Sequence, residues 1–330
     1  MEDTIALSSR IRLARNYEDF AFPSRMNQEL AQSVLDRTMQ SLQASPDLGV
    51  PHMVRMADLS QLAREELVEQ HRISPELARH DEGALVELLE GSVYVMINEE
   101  DHLRIQAILP GLSLGEALEK ANRTDDALER GGYAFDPRYG YLTACPTNAG
   151  TGMRASVMLH LPALTLLSQI GPIIRSVSRI GLTVRGIYGE GSQANGNMYQ
   201  LSNQVTLGRN ESEILHALGE AALQVMQRER DARKLMLERN RIGLEDRLLR
   251  SYGILSNARK MSLREFMQRM SDVRLAMDLS LLPLQADTLD ALLLDAQPAA
   301  LQRRAGEELS AEEQNVQRAN LVREELQAVG

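Results

Sequence analysis

The sequence predicts an α+β fold followed by an all-helical one. Three observations carry that reading. Apolar and polar residues alternate with a period of two around 8–12, 92–98, 103–109, 154–161, 182–187 and 198–207, the pattern of half-buried strands. Between these, stretches such as 28–42 repeat apolar residues at helical spacing. After Asn210 the alternation stops and only helical patterning continues to Gly330. We expect an α+β domain over 1–225 and a helical domain over 226–330.

In chain order, 8–12 reads as a short strand with Arg10 and Arg12 on one face. Helices are expected at 28–42, with Leu30, Val34, Leu35, Met39 and Leu42 inward, and at 60–70. Two strands, 92–98 and 103–109, flank the acidic turn Asn98-Glu99-Glu100-Asp101-His102. A polar helix over 113–130 opens on Ser113 and Glu116, the spacing of a capping box. A strand at 139–144 leads into a loop dense in turn formers, from Cys145 to Gly152. Another strand, 154–161, precedes a helix from Pro162 to about Ile180, which Gly171-Pro172 is expected to bend. The strand at 182–187 carries Arg185 and ends in a glycine-containing loop, 189–196, before a last strand at 198–207. Helix starts follow at Asn210 with Glu213, Ser262 with Glu265, and Ser310 with Glu313, with further helices at 244–260 and after Asp287.

Composition narrows the function. At 330 residues, with 43% hydrophobic and 25% charged residues, the chain can bury a sizeable core as a soluble globular protein. Aromatics make up only 4% and Trp is absent, so Leu, Ile, Val, Met and Ala must fill that core. The formal net charge of −10 argues against general attraction to nucleic-acid phosphates but leaves room for a local basic pocket. Lys120, Lys234 and Lys260 are the only lysines, so nearly all positive charge is arginine, whose planar fork suits phosphate. Codon bias is the plain alternative. A single cysteine, Cys145, excludes an internal disulfide and suits a reducing cytosol. No apolar run approaches the roughly eighteen residues of a membrane span and no signal-peptide pattern is present, so a cytoplasmic protein is expected.

Arg10, Arg12, Arg104, Arg154 and Arg185 all sit on or beside predicted strands near a turn or polar loop. On one sheet they can converge on a polyphosphate; the alternative is a solvated strand face. Neither a P-loop nor a dinucleotide-binding glycine fingerprint is present, so side-chain arginines would have to hold a nucleotide. Glu100 and Glu190, both at strand ends, are matched to a planar cation such as guanidinium and to the proton it loses on attacking phosphorus. Phosphoryl transfer requires mainly positioning and charge compensation, which arginines and Mg²⁺ supply. Cys145 is either a reactive thiolate near those arginines or a small filler residue.

Six motifs occur together and in order: Ser8-Ser9-Arg10-Ile11-Arg12, the Asn98–Arg104 turn, Cys145-Pro146-Thr147-Asn148 with Gly150-Thr151, Arg154-Ala155-Ser156-Val157, Arg185-Gly186-Ile187-Tyr188-Gly189-Glu190, and Leu201-Ser202-Asn203. This set resembles the phosphagen (guanidino) kinases, and its wording is similar to the bacterial protein-arginine kinases of the McsB type. The helical part resembles theirs at 249–253 and 271–275. The resemblance implies a mostly antiparallel sheet flanked by helices, and transfer of the ATP γ-phosphate to arginine side chains of proteins. It implies that such proteins are thereby marked for a Clp protease and that a heat-shock repressor is inactivated. An activator protein and a homodimer are further implied partners.

By motif, nucleotide contacts fall on Ser8 to Arg12, His71, Arg104, Arg154 to Met158 (Ala155, Ser156 and Val157 included), and Arg185 to Glu190. Catalytic roles fall on Glu100, Glu190 and Cys145, while Glu99 receives none. Two departures stand out. Small-guanidine kinases carry a helical domain of about a hundred residues before the first arginine motif, where seven residues stand here, so a pocket open to polypeptide is expected. The family's phosphoarginine-sensing Arg-Asp-x-x-Arg-Ala reads Gln314-Asn315-Val316-Gln317-Arg318-Ala319, so weak sensing is expected. Gln193 also replaces an acid common in relatives. Kinases of free arginine, or a non-catalytic phosphoarginine-binding adaptor, are the competing readings.

Overall fold

The computed structural model describes residues 4–186 and 195–329. Its strands are β1 (Ala6–Arg15), β2 (His52–Arg55), β3 (Ala84–Leu88), β4 (Val93–Ile97), β5 (Leu103–Pro110), β6 (Phe135–Asp136), β7 (Gly140–Tyr141), β8 (Met153–His160), β9 (Leu182–Gly186) and β10 (Met198–Asn203). Eight of them form one sheet in the order β2-β3-β4-β5-β1-β8-β10-β9, and every neighbouring pair is antiparallel. The expected α+β architecture with a helical C-terminal region therefore holds.

Alternation gives the sheet two unlike faces. On one face Ile11, Leu13, Ile105, Ala107, Ala155 and Val157 are fully buried. Against it pack α1 (Gln28–Gln43), α3 (Leu114–Glu129) and the first part of α6 (Glu211–Asn257). Ala117 and Ala121, one turn apart on α3, let that helix approach the sheet closely. The opposite face carries the polar members of the same strands. At its β3–β4 end it is covered by a smaller cluster of Met56, Ile73, Leu77, Leu85, Tyr94 and Met96, beside α2 (Gln61–Glu69).

Several elements differ from expectation. The capping box at Ser113 is not formed: its hydroxyl donates to the Pro110 carbonyl (2.8 Å), and Glu116 pairs with Lys120 instead. The strand expected at 139–144 shrinks to Gly140–Tyr141, in a separate two-stranded ribbon with β6. The helix from Pro162 breaks into α4 (Pro162–Leu166) and α5 (Ile170–Ser178), with Ser168 at φ 58 between them. Pro172 does not bend it, because it lies in the first turn of α5, where its missing N–H has no intrahelical partner. The strands β2 and β3 were not anticipated. The helix after Asp287 is two, α8 (Ala286–Asp295) and α9 (Pro298–Ala305), separated at Pro298.

The C-terminal helices build a second core. Leu255, Phe266, Met270, Val273, Leu292 and Val322 meet there, from α6, α7 (Leu263–Asp278), α8 and α10 (Ala311–Val329). The long helix α6 starts with a reciprocal capping box between Asn210 and Glu213 and runs unbroken past residue 225. Its break comes at Asn240 (φ −158, ψ 72), whose side chain caps the restart by accepting from the Gly243 N–H at 3.0 Å. The sequence expectation of two separate helices here reflects that break.

The end of β1 is pinned by a buried ion pair. Arg15, 1% exposed, donates Nε and Nη2 to Asp125 of α3, the shortest contact being 2.7 Å. Its Nη1 donates to the carbonyls of Ala14 and Thr151, and its guanidinium lies 3.6 Å from the Tyr141 ring centroid. This ties the strand carrying Arg10 and Arg12 to the loop that follows Cys145. Asp125→Ala leaves a charged group buried without its partner. We expect it to remove about 3–5 kcal/mol of stability, read as a lower urea midpoint at unchanged m-value; a loss below about 1 kcal/mol would contradict the pinning role.

Candidate active site

Strand register places the five arginines. Arg12 sits directly opposite Arg154 on β8, Arg10 opposite Ser156, and Ala14 opposite Arg104 on β5. Gln200 of β10 sits opposite both Met158 and Arg185. Residues opposite one another in antiparallel strands share a face. Arg10, Arg12, Arg104, Arg154 and Arg185 therefore all project from the face that the main core does not cover.

The Asn98–Arg104 turn stands at the edge of this array, and its residues divide the work. Asn98 takes the left-handed conformation (φ 59) and donates its amide to the carbonyls of Ala31 (3.0 Å) and Glu82 (3.2 Å). Asp101 accepts from Asn16 Nδ2 and from the Ala144 N–H, both at 2.7 Å. His102 accepts the Tyr17 N–H at Nδ1 (3.0 Å), which leaves the proton on Nε2, 2.7 Å from the Ala21 carbonyl. These three residues hold the turn. Glu99, buried, accepts from Ser74 and binds Arg104 Nη1 at 2.9 Å. Glu100, with its side chain 42% exposed, lies 3.6 Å from Arg104 Nη2 and keeps acceptor capacity for something else.

Two hollows meet at this turn. A cavity of about 200 Å³ is lined by Arg12, Glu100, Arg104, Cys145, Thr147 and Arg154, among others. A groove of about 900 Å³ on the other side shares Glu100 and Arg104 with it. Cys145 is half-buried, its Sγ 3.0 Å from Thr147 Oγ1. Thr206 donates to the carbonyls of Thr147 and Ala149 and fixes the loop. A Cβ on Gly150 (φ +104) would lie 2.6 Å from the Thr206 carbonyl, so this close approach requires glycine. His71 ends α2 at φ 59, and Gln106, on the arginine face, donates to its carbonyl at 2.8 Å.

The electrostatics are those of an anion site. Among the described residues, no carboxylate pairs with Arg10, Arg12 or Arg154, and the buried Nε of each has no hydrogen-bond partner. Burial, then repulsion from Arg104 and Arg154, pushes the Arg10 guanidinium down to about 10. Arg12 is driven well below its usual range by the same burial and by Arg10, Arg104 and Arg154. Burial and then Arg185 lower Arg154. Burial and then Arg10 bring His71 from 6.5 to about 4. Burial raises Glu99 against the opposing pull of Arg104.

Other expected residues fall elsewhere. Ser9, Ile11, Ala155 and Val157 point into the core on the opposite face, so only their backbone belongs to the site strands. Ser8, Ser156 and Met158 lie on the arginine face, and Gly186 ends β9. Ile187, Tyr188, Gly189, Glu190 and Gln193 lie outside the described residues. In α10, Arg318 is buried and donates to the carbonyls of Ala296 (2.8 Å) and Met261 (3.1 Å) and to Asn315 Oδ1 (3.1 Å). Burial lowers it to about 10. Gln314 donates to the Leu309 carbonyl, and Ala319 packs in the helical core. Sequence reasoning missed the supporting roles of Glu99, Ser74, Asn16, Asp101 and Gln106, because each depends on a contact distant in sequence.

Known proteins resemble this chain in sequence over nearly its whole length and in fold over most of it. The profile of the ATP:guanido phosphotransferase C-terminal catalytic domain matches residues 33–232, and that of the protein-arginine kinase McsB C-terminal domain matches 241–330. The interval between the two contains the Asn240 break. A protein-arginine kinase of Syntrophomonas wolfei is 48% identical over 99% of this chain and 92% of its own. One of Bacillus subtilis is 46% identical over 98% of this chain and 91% of its own. Lombricine kinase shares the fold at TM-score 0.58 and 22% identity, over 70% of this chain and 67% of that one. The duplicated taurocyamine kinase of Schistosoma mansoni with bound transition-state-analogue components does so at TM-score 0.60 and 22% identity, over 79% of this chain and 38% of that one.

Two outcomes follow from the crowded charges. His71 has a folded-state value below its unfolded one, so its contribution to stability is present above 6.5 and lost as pH falls through about 4. NMR titration is expected to find its imidazole near 4 in the free protein and to move it upward when an added polyphosphate covers Arg10; an invariant value near 6.5 would contradict the placement. Arg12→Met removes a repelled charge. The ligand-free melting temperature is expected to stay or rise, while nucleotide affinity falls by about tenfold or more, measured by calorimetry.

Proposed function

The chain belongs to the ATP:guanido phosphotransferase family, and on that premise we propose that its acceptors are arginine side chains of proteins. It is a kinase, with ATP as the phosphate donor that its family implies. The protein acceptor is supported by relatives of that name matched over nearly the whole chain, and by the C-terminal match to a domain of such kinases. The observation that carries the reading is the position of Glu100, at the junction of the arginine-lined cavity and a groove of about 900 Å³. The arginine array ends there, at a partly exposed carboxylate that Arg104 engages only at 3.6 Å.

In this reading Arg10, Arg12, Arg104, Arg154 and Arg185 hold the nucleotide phosphates, with His71 beside Arg10. Arg104 is oriented by Glu99, so it meets the transferred phosphoryl group in a fixed geometry. Glu100 accepts from the substrate guanidinium and orients one nitrogen toward phosphorus. That nitrogen forms the N–P bond, the bond from phosphorus to the ADP oxygen breaks, and the nitrogen's proton passes to a carboxylate. Glu190 supplies the second carboxylate by motif. Among the described residues no cluster of three or more His, Cys, Asp or Glu is arranged to hold a metal ion, and the reading assigns Mg²⁺ to the nucleotide phosphates, where it would neutralise developing charge. Cys145, which lines the same small cavity as Glu100, would touch the same cation.

The proposal extends by resemblance to a cytoplasmic homodimer that marks proteins for Clp-type proteolysis, acts on a heat-shock repressor and responds to an activator protein. No helix among the described residues is long and apolar enough to cross a membrane.

Incubation with ATP, Mg²⁺ and an arginine-rich protein, followed by mass spectrometry without acid, is expected to find phosphoarginine. Glu100→Ala and Glu190→Ala are each expected to lower incorporation by about 100-fold or more; incorporation equal to wild type would refute the carboxylate roles. Free phosphoarginine at millimolar concentration is expected to leave the rate nearly unchanged, since Arg318 is engaged by main-chain carbonyls and Gln314 and Asn315 replace the charged pair. A several-fold activation would overturn that.

A further inference from the structure

The groove beyond Glu100 has a chemical character that the transfer step does not use. Its lining includes four carboxylates, Glu76, Glu82, Glu99 and Glu100, against a single arginine, Arg104, which Glu99 already engages. Two acceptors in its wall have no donor. Asn98 and Glu99 are each 4% exposed, and Asn98 Oδ1 and Glu99 Oε2 have no hydrogen-bond partner. The amide nitrogen of Asn98 is held by two carbonyls, so the group cannot flip to give its oxygen a donor. Buried acceptors without donors are costly and are satisfied by a ligand that brings N–H groups. Glu76 is partly engaged by Arg79 and His80, whereas Glu82 stands where the groove continues into a smaller hollow that contains Asp58, Asp81 and one cation, Arg55, which donates to Gln32. Asp81 in turn pairs with Arg64.

At about 900 Å³ the groove is larger than one guanidinium requires. We propose that it is a specificity subsite for a lysine or arginine side chain flanking the target arginine on the same polypeptide. The inference rests on the polypeptide-acceptor reading above and adds a preference to it. The target guanidinium binds Glu100, and the flanking cation lies between Glu82 and the acceptors of Asn98 and Glu99. Complementary charge at such a rim raises encounter rate and selectivity and weakens with salt.

The test uses the full chain and fluorescent peptides of equal length with one arginine, flanked by lysine, glutamine or glutamate. Both kcat/KM with Mg²⁺–ATP and peptide affinity by anisotropy are measured at low and high salt. The lysine-flanked peptide is expected to exceed the glutamate-flanked one by about tenfold at low salt, with a smaller ratio at high salt. In Glu76→Gln/Glu82→Gln the ratio is expected to fall towards one. Equal values for all peptides, or a ratio that neither the double variant nor salt changes, overturns the subsite. If no peptide is phosphorylated while lysine-flanked peptides still bind more tightly, the subsite stands and the polypeptide-acceptor reading fails.

Discussion

Like charges held close together dominate this site. Arg10, Arg12 and Arg154 repel one another on one face of a sheet, with buried Nε atoms and, among the described residues, no carboxylate in ion-pair contact; Glu99 offsets only part of the repulsion at Arg12. Such an arrangement persists only because something else fixes it. That restraint is the opposite face: Ile11, Leu13, Ala155 and Val157 are fully buried against α1, α3 and α6. A slip of one residue in β1 or β8 would turn the arginines into the core and the apolar residues out. The core thus sets the register, and the register concentrates the charge. A polyphosphate bound on this face would relieve repulsion that the fold has already accepted, in an array organised before any ligand arrives.

The same logic explains why a short acidic turn sits at the edge of that array. If Arg104 met only other arginines it would be repelled from its place on this face. Glu99 compensates it at 2.9 Å and is itself buried, while Glu100 pairs with it only at 3.6 Å and stays partly exposed. Asp101 binds Asn16, next to the Arg15 end of β1, and also the Ala144 N–H, next to Cys145. One side chain therefore couples the phosphate strand, the acidic turn and the cysteine loop. In the proposed reading, neighbouring residues of one turn would face donor and acceptor in succession and bring the two substrates to a common boundary.

Much of this was legible from residue order. Alternation around 8–12, 103–109 and 154–161 marked strands, and parity along each strand put Arg10 and Arg12 together. The helix starts at Asn210, Ser262 and Ser310 were readable because capping is local: in each the side chain accepts the N–H three residues on. What was not legible depends on tertiary contact. Ser113 has the local signature of a cap, yet its backbone N–H is drawn to Ser9 Oγ and its hydroxyl to Pro110. The short strands β2 and β3 acquire their conformation from pairing, and little in their own sequence announces it. Glu99 and Glu100 are chemically identical neighbours. Only the burial of one and the exposure of the other assigns them separate tasks, and burial is not a property of order in a turn. That all five arginines share a face likewise follows from register between strands far apart in the chain.

The central claim is that the turn divides donor from acceptor. The most direct measurement is a crystal structure with ADP, Mg²⁺, nitrate in place of the transferred phosphoryl group, and a short arginine peptide. The account places nitrate within hydrogen-bond reach of Arg104 and Arg154, and the peptide guanidinium against Glu100, with Glu99 still bound to Arg104. A guanidinium bound away from Glu100, or nucleotide phosphates bound away from the arginine face, would contradict it.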